Sequence, residues 1–347
     1  MINIIIILCS TAVYSAKIYL FSVIMSIYNT ARYLDDSIES IINQTIGFNN
    51  IQLILINDGS TDNSEEICLK YKKLYKSNIV YVKLNHSGVS KARNIGLKYS
   101  KGLYINFLDS DDKWDFKAFE YVNLYFKLFK DLQFICCRIK YFESSDKYHF
   151  LDYKFRKTKI ANLTEDYHLI HLSASSSFFR RSSLKGLSFI EGLSFGEDTI
   201  FIITILLNNS IIGLIREAIY YYRKRLDSSS AIQNNEKNSN FYFLTIEYVE
   251  KFLINESIKL YNKILPFIQF YLAYDILFRI KSRAYKYLDF NNYNKYCRTI
   301  ENLLQQIDDK YFLEQKIFSS QLKIFTLSKK YCLDQRYKIT FQRNSFL

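Results

Sequence analysis

Three carboxylates close a greasy stretch of this chain. "LYINFL", residues 103–108, runs straight into Asp109, Ser110, Asp111 and Asp112. Packed so closely, the acids repel one another, and burial makes each charge costlier. Two arrangements relieve that repulsion. One is a solvated turn with an Asp capping the next helix. The other is a cation site, in which a hard ion such as Mn²⁺ or Mg²⁺ takes carboxylate oxygens. A second acidic turn, "NDGSTD" at 57–62, also follows an apolar run, and it contains Asp58. Farther on, "GEDTIF" carries the adjacent pair Glu197 and Asp198. Taken alone, such a pair reads as acids at a helix N-terminus, where the dipole favours them.

The elements that hold these turns are legible between residues 18 and 112. "IYLFSVIMSI", "IQLILI", "IVYVKL" and "LYINFL" are short, rich in β-branched and aromatic residues, and bounded by polar turns, as buried strands are. Helix-like stretches lie between them at 31–45, 62–76 and 89–100. Strand–helix alternation predicts a mostly parallel sheet covered on both faces. Ligands of such sheets sit outside the carboxyl ends of the strands, and both acidic turns fall at those ends. From about residue 236 onward the pattern is helical, as in "FYFLTIEYVEKFL".

Eight stretches, in this order and spacing, resemble glycosyltransferase family 2, the inverting nucleotide-sugar transferases. They are "FSVIMSIYN", "SIESIINQT", "LILINDGSTDNS", "NHSGVSKARNIGL", "LYINFLDSDD", "SSSFFRRSSL", "FGEDTIF" and "AIYYYRKRLDSSS". The resemblance covers about residues 18–230. It implies an α/β fold of the GT-A type, Rossmann-like, followed here by a mainly helical C-terminal region at 236–347 and preceded by an extension at 1–17. It further implies a metal-assisted direct displacement. Asp111 would ligate Mn²⁺ or Mg²⁺, and Asp109 would reach the ribose or the metal waters. Asp112 would assist or cap the following helix. Asp58 would accept from the nucleobase, uracil being a sensible partner for an acceptor-only group. Ser26 and Tyr28 would line the same pocket, with Arg93 near base and phosphates. Arg223 and Arg225 would close over the diphosphate as anion donors. Asp198 would be the general base, and Glu197 would orient the acceptor. Two departures stand out: Ser26 occupies a position where the family usually has Pro, and "NDG" replaces the commoner "DDG".

Composition narrows the rest. The chain has 347 residues, 49% of them hydrophobic, and a net charge of +13. A core of ordinary size is therefore available, and an anionic partner is expected: a phosphorylated substrate, acidic lipid or nucleic acid. No nucleic-acid-binding signature accompanies the charge; the resemblance implies a nucleotide-sugar donor and a glycan or lipid-linked acceptor. A binder of the same fold without turnover is the alternative, and the acids at Asp111 and Asp198 argue against it. The six cysteines contain no CxxC pair and read as reduced thiols of a cytosolic protein. His168 and His171 lack a second ligand pair for zinc. "MINIIIILCSTAVYSA" lacks a basic leader and is too short to span a bilayer; it reads as an added segment or an early start. The most apolar later run, "ILPFIQFYLAYDILF", is interrupted by Gln269 and Asp275. Residues 236–347 hold 18 Lys/Arg against 11 Asp/Glu, which suits peripheral attachment to the inner face of an anionic membrane or a helical unit packed on the core.

Overall fold

The computed structural model describes residues 17–193, 195–225, 239–282 and 284–331. Its first part alternates as expected: β1 (Phe21–Ile27), α1 (Ala31–Ile42), β2 (Ile51–Asn57), α2 (Ser64–Leu74), β3 (Ile79–Lys83), α3 (Val89–Tyr99) and β4 (Tyr104–Asp109). Then follow β5 (Lys113–Trp114), α4 (Ala118–Leu128), β6 (Phe134–Glu143), β7 (Lys159–Asn162), β8 (Ser177–Arg180), α5 (Glu197–Asn208) and β9 (Ile211–Lys224).

All strands join one sheet in the order β3-β2-β1-β4-β8-β6-β9-β5, with β7 also on β9. The first four are mutually parallel. Beyond them the sheet is mixed. β8 enters from an irregular stretch, not a helical crossover, and runs against both β4 and β6. β6 and β9 pair in parallel, but the register jumps from Cys137↔Ile215 to Arg138↔Ile219. Arg216, Glu217 and Ala218 fall outside that register, and such a bulge bends its strand. The far half of β9 then pairs with β5, immediately after the acidic turn.

Strand alternation splits the core between two faces. Val23 and Met25 of β1 join the cluster that holds Leu34 and Ile38 of α1 and Phe119 of α4. Ile24 joins the opposite cluster, with Phe201 and Ile203 of α5. α5 is apolar nearly all round and buries eight residues, because helices cover its outer side as well. Those helices are α6 (Ser239–Thr245), running through a π-turn at Ile246–Glu250 into α7 (Lys251–Tyr261), then α8 (Pro266–Lys281), α9 (Phe290–Leu304), α10 (Asp309–Leu313) and α11 (Ser320–Lys330). Val249, Leu253, Phe267 and Leu272 belong to the same buried cluster as α5. Of the two arrangements the sequence offers for this region, a helical unit packed on the core is present. It packs directly on the helix that begins with Glu197.

No described helix is long and apolar enough to cross a membrane. Asp275, which interrupts the most apolar run, is buried in an ion pair with Arg279, whose Nε also lies 3.0 Å from Glu250. Cys68, Cys136 and Cys137 are buried and unbridged. The expected N-terminal extension, the end of the "RKRLDSSS" loop and the last basic residues of the chain lie outside the described residues.

Candidate active site

The parallel register sets Ser26 at the end of β1 beside Asp109 at the end of β4. The next strand end, after β2, carries Asp58. Three of the expected residues thus share one sheet edge because parallel strands terminate together. β8 adds a fourth group from the other side. Asn106 pairs with Phe178, and the same antiparallel register brings the Ser175 hydroxyl to donate to Asp109 Oδ2 at 2.8 Å. Ser175 opens the quoted "SSSFFRRSSL", yet nothing in that motif marks this serine from its neighbours.

Arg93 joins the donor side to the acid pair. It projects from α3, buried at 4% exposure, with its guanidinium 5.2 Å from the Phe189 ring centre. Nη2 donates to Asp109 Oδ1 at 3.2 Å, and Nη1 donates to Asp198 Oδ1 at 2.6 Å and Glu197 Oε1 at 3.1 Å. Expected beside base and phosphates, Arg93 instead spends its donors on three carboxylates. An unpaired guanidinium could not be buried there, and three unpaired carboxylates could not either. Asp198 Oδ2 also accepts from the Ala174 N–H at 2.9 Å. Burial raises the Asp198 pKa, while the Arg93 charge pulls it back. Glu197 is raised by burial and by the charge of Asp198 beside it, again opposed by Arg93.

The acidic turn divides its three aspartates. Asp112 caps no helix, since α4 starts only after Lys117. It is 1% exposed and ties the turn to β9, accepting from the Tyr220 hydroxyl at 2.6 Å and the Arg223 N–H at 2.7 Å. Asp111 faces Arg225, whose Nε and Nη2 donate to its Oδ2 at 2.9 and 2.6 Å. Burial raises the Asp111 pKa against the pull of Arg225. Arg223, expected on the diphosphate, is a structural residue instead. Its donors go to the Asp111 carbonyl at 2.7 Å, Glu143 at 2.8 Å and Asp36 at 3.1 Å. It also lies over the rings of Tyr33 and Phe142.

Asp58 organises the neighbouring turn. Its oxygens accept from the Ser87 N–H at 2.6 Å and the Gly88 N–H at 2.8 Å, and each retains a second lone pair. Gly59 has φ +76°, and a Cβ there would stand 2.8 Å from the His86 nitrogen, so this close approach requires glycine. Tyr28, 44% exposed, stacks on His86 with ring centres 4.1 Å apart. His86 escaped the sequence reading, although it lies inside "NHSGVSKARN". Ser26 Oγ is buried without a hydrogen-bond partner, a cost the family's usual Pro would not incur. His171 bonds to Ser176 at 2.8 Å.

Among the described residues no group of three or more His, Cys, Asp or Glu is placed to hold a metal ion. Asp109 and Asp111 offer two carboxylates. That set fits a hard ion that keeps waters and draws its remaining ligands from a substrate diphosphate, and it does not fit an all-protein cage.

Residues 22–187 match the family Glycosyl transferase family 2. The Bacillus subtilis (strain 168) minor teichoic acid biosynthesis protein GgaB is 41% identical over 305 residues, 87% of this chain and 34% of GgaB. GgaA from the same organism, also a minor teichoic acid biosynthesis protein, is 35% identical over 85% of this chain and 68% of its own length. The chain therefore spans about a third of one relative and two thirds of the other. The crystal structure of Staphylococcus aureus TarS 1–349 in complex with UDP-GlcNAc shares the fold, with TM-score 0.64 and 19% identity over 89% of this chain and 88% of that one.

Proposed function

Because the chain belongs to glycosyltransferase family 2, we propose that it transfers a sugar from a UDP-linked donor to a hydroxyl of a teichoic-acid-type acceptor, with inversion and with Asp198 as general base. The observation that carries this reading is the placement of Asp109 and Asp198 on one guanidinium, Arg93. It sets the strand end that would face the donor diphosphate one side chain away from the carboxylate that would take the acceptor proton. The relatives named for teichoic acid biosynthesis support the acceptor class. The TarS complex with UDP-GlcNAc supports a uridine donor.

In this mechanism Tyr28 and Asp58 receive the base, and Ser26 lies beneath the nucleoside. Asp111 and Asp109 would hold Mn²⁺ or Mg²⁺, which when bound supplies Lewis-acid neutralisation of the departing nucleoside diphosphate. Arg225 turns from Asp111 to the diphosphate oxygens, a charge-assisted contact. The acceptor oxygen attacks the anomeric carbon opposite the leaving group as its proton passes to Asp198. Arg93 keeps Asp198 ionised against its burial, and Glu197 orients the acceptor. The same reading places the protein in the cytoplasm, with the basic residues of 236–347 against the inner membrane face.

A panel of nucleotide sugars with Mn²⁺ tests it, read out as slow donor hydrolysis and then as transfer. Hydrolysis of a UDP-sugar is expected, and the Asp111→Ala variant should lose most of it and bind UDP more weakly. Full turnover in excess EDTA removes the metal from the mechanism. Binding of UDP-sugars without any turnover favours a non-catalytic protein of this fold. A transferred sugar of retained anomeric configuration refutes the direct displacement.

A further inference from the structure

Among the described residues four Lys or Arg side chains are buried. Arg93, Arg223 and Arg279 each meet carboxylates. Lys154, 7% exposed, meets none among the described residues. Its ammonium donates to the Ile170 carbonyl and keeps two further N–H groups. The acids nearby are committed elsewhere. Asp152 accepts from Arg138 through both oxygens, at 2.6 and 2.7 Å, and Asp275 pairs with Arg279. Burial pushes the Cys136 thiol pKa up, so it stays neutral beside the lysine. A buried charge without an opposite is costly.

Lys154 lines a cavity of about 170 Å³ together with His149, Asp152, His171 and Ser173. One water needs only ~10–15 Å³, and pockets for drug-sized ligands run to ~300–1,000 Å³. Apart from Asp152, the polar groups around it offer donors. His149 Nδ1 accepts from the Leu151 N–H at 3.2 Å, which puts the ring proton on Nε2. His171 Nε2 bonds to Ser176 Oγ at 2.8 Å, and Ser176 Oγ donates to Ser173 Oγ at 2.9 Å. The Ser173 proton is then left to donate. Burial first, and the Lys154 charge second, hold the His149 pKa down to about 4 and that of His171 well below its usual value.

We propose that this cavity binds one small oxyanion, inorganic phosphate, between the Lys154 ammonium, the His149 Nε2–H and the Ser173 hydroxyl. The site is separate from the donor and acceptor sites of the transfer reading and does not depend on it. The anion supplies the charge that Lys154 lacks. A tetrahedral oxyanion carries several acceptor oxygens, and here the donors come from separate points of the wall. The volume suits a single ion and excludes a polymer. Bound there, the anion ties the segment 149–155 to the segment 170–176. The second of these delivers the Ala174 N–H to Asp198 and the Ser175 hydroxyl to Asp109, so occupancy steadies the wall of the candidate active site.

The test titrates the full chain with inorganic phosphate at constant ionic strength, chloride replacing it in the control. The wild-type thermal midpoint should rise by about 2–4 °C at saturation, and amide exchange should slow in 149–155 and 170–176. Lys154→Met, similar in shape and uncharged, should lose the phosphate response. Without phosphate its midpoint should be no lower than that of wild type, because the unpaired charge is gone. His149→Phe keeps a ring and removes the donor, so the phosphate Kd should rise about tenfold. Arg225→Gln should respond as wild type does, which separates this cavity from a diphosphate site. A wild type indifferent to phosphate overturns the proposal. So does a Lys154→Met variant that still responds, or one destabilised equally with and without phosphate, because Lys154 is then only a structural donor. If Lys154→Met does not fold, His149→Phe decides, and an unchanged Kd there overturns the site. A response lost in Arg225→Gln, or exchange slowed only around the 109–112 turn, places the phosphate in the donor site and refutes the assignment.

Discussion

Asp109 and Asp198 lie 89 residues apart in the sequence and meet on Arg93. This contact makes the residue-scale predictions specific. Asp198→Asn is nearly isosteric and cannot accept a proton. Its kcat should fall about 10²–10⁴-fold with UDP affinity retained; turnover within a few-fold of wild type would point to another base. The pH dependence follows from burial. A general base at Asp198 would have to be ionised, and burial lifts its pKa above the ordinary carboxylate value. Activity should therefore fall as pH drops through that raised value, at a higher pH than for an exposed aspartate. Arg93 opposes the lift, so Arg93→Gln, which keeps donors and removes charge, should move the acid limb of the kcat profile to higher pH. A limb that stays in place would mean that Arg93 does not hold the titrating group.

At the scale of elements, the start of α5 decides where the acid pair sits. Gly196 has φ +88°, and a Cβ added there would approach Val249 Cγ2 to 2.7 Å. The π-turn that carries Val249 is thus pressed on the backbone preceding Glu197, and such turns often mark functional sites. Gly196→Ala should cost about 1–3 kcal/mol from the backbone alone, measured by denaturant unfolding, and should lower kcat by displacing the acids. Adding Val249→Ala should restore the part due to the clash and leave the part due to φ. If Gly196→Ala has wild-type stability and kcat, the helical region does not position this site. The far half of β9 acts similarly on the acidic turn, through Tyr220 and Arg223 on Asp112.

For the whole molecule, the buried cluster runs without interruption from Ile24 in the sheet through α5 to Leu322 in α11. Phe195 packs on Phe241 with ring centres 5.2 Å apart. A chain ended at residue 235 would expose that face of α5, losing roughly 1.5–3 kcal/mol for each large apolar side chain returned to water. It should show no cooperative thermal transition by circular dichroism. A truncated chain that melts cooperatively near the wild-type midpoint would mean the helices are an independent unit. Membrane attachment of this region is accordingly best examined on the intact chain, by sedimentation with anionic vesicles at low and high salt.

Much of this protein was legible in its sequence because the physics involved is local. Short β-branched runs between polar turns mark the strands, and parallel strands end together, so Asp58 and Asp109 had to share an edge. The motif spacing marked the acid pair. What the sequence left open depended on partners distant along the chain. Asp112 could assist at the metal or cap a helix, and the structure instead ties it to β9; Arg223 and Arg225 are indistinguishable as letters two positions apart. Arg223 stands inside β9 and reaches Glu143 and Asp36, whereas Arg225 lies just past the end of the strand and reaches Asp111. Arg93 was readable as a basic residue near the site, but not as the counter-ion of three carboxylates from β4 and α5. That role exists only because a buried charge must find its opposite within a few ångströms, and only the tertiary structure decides which opposites are near.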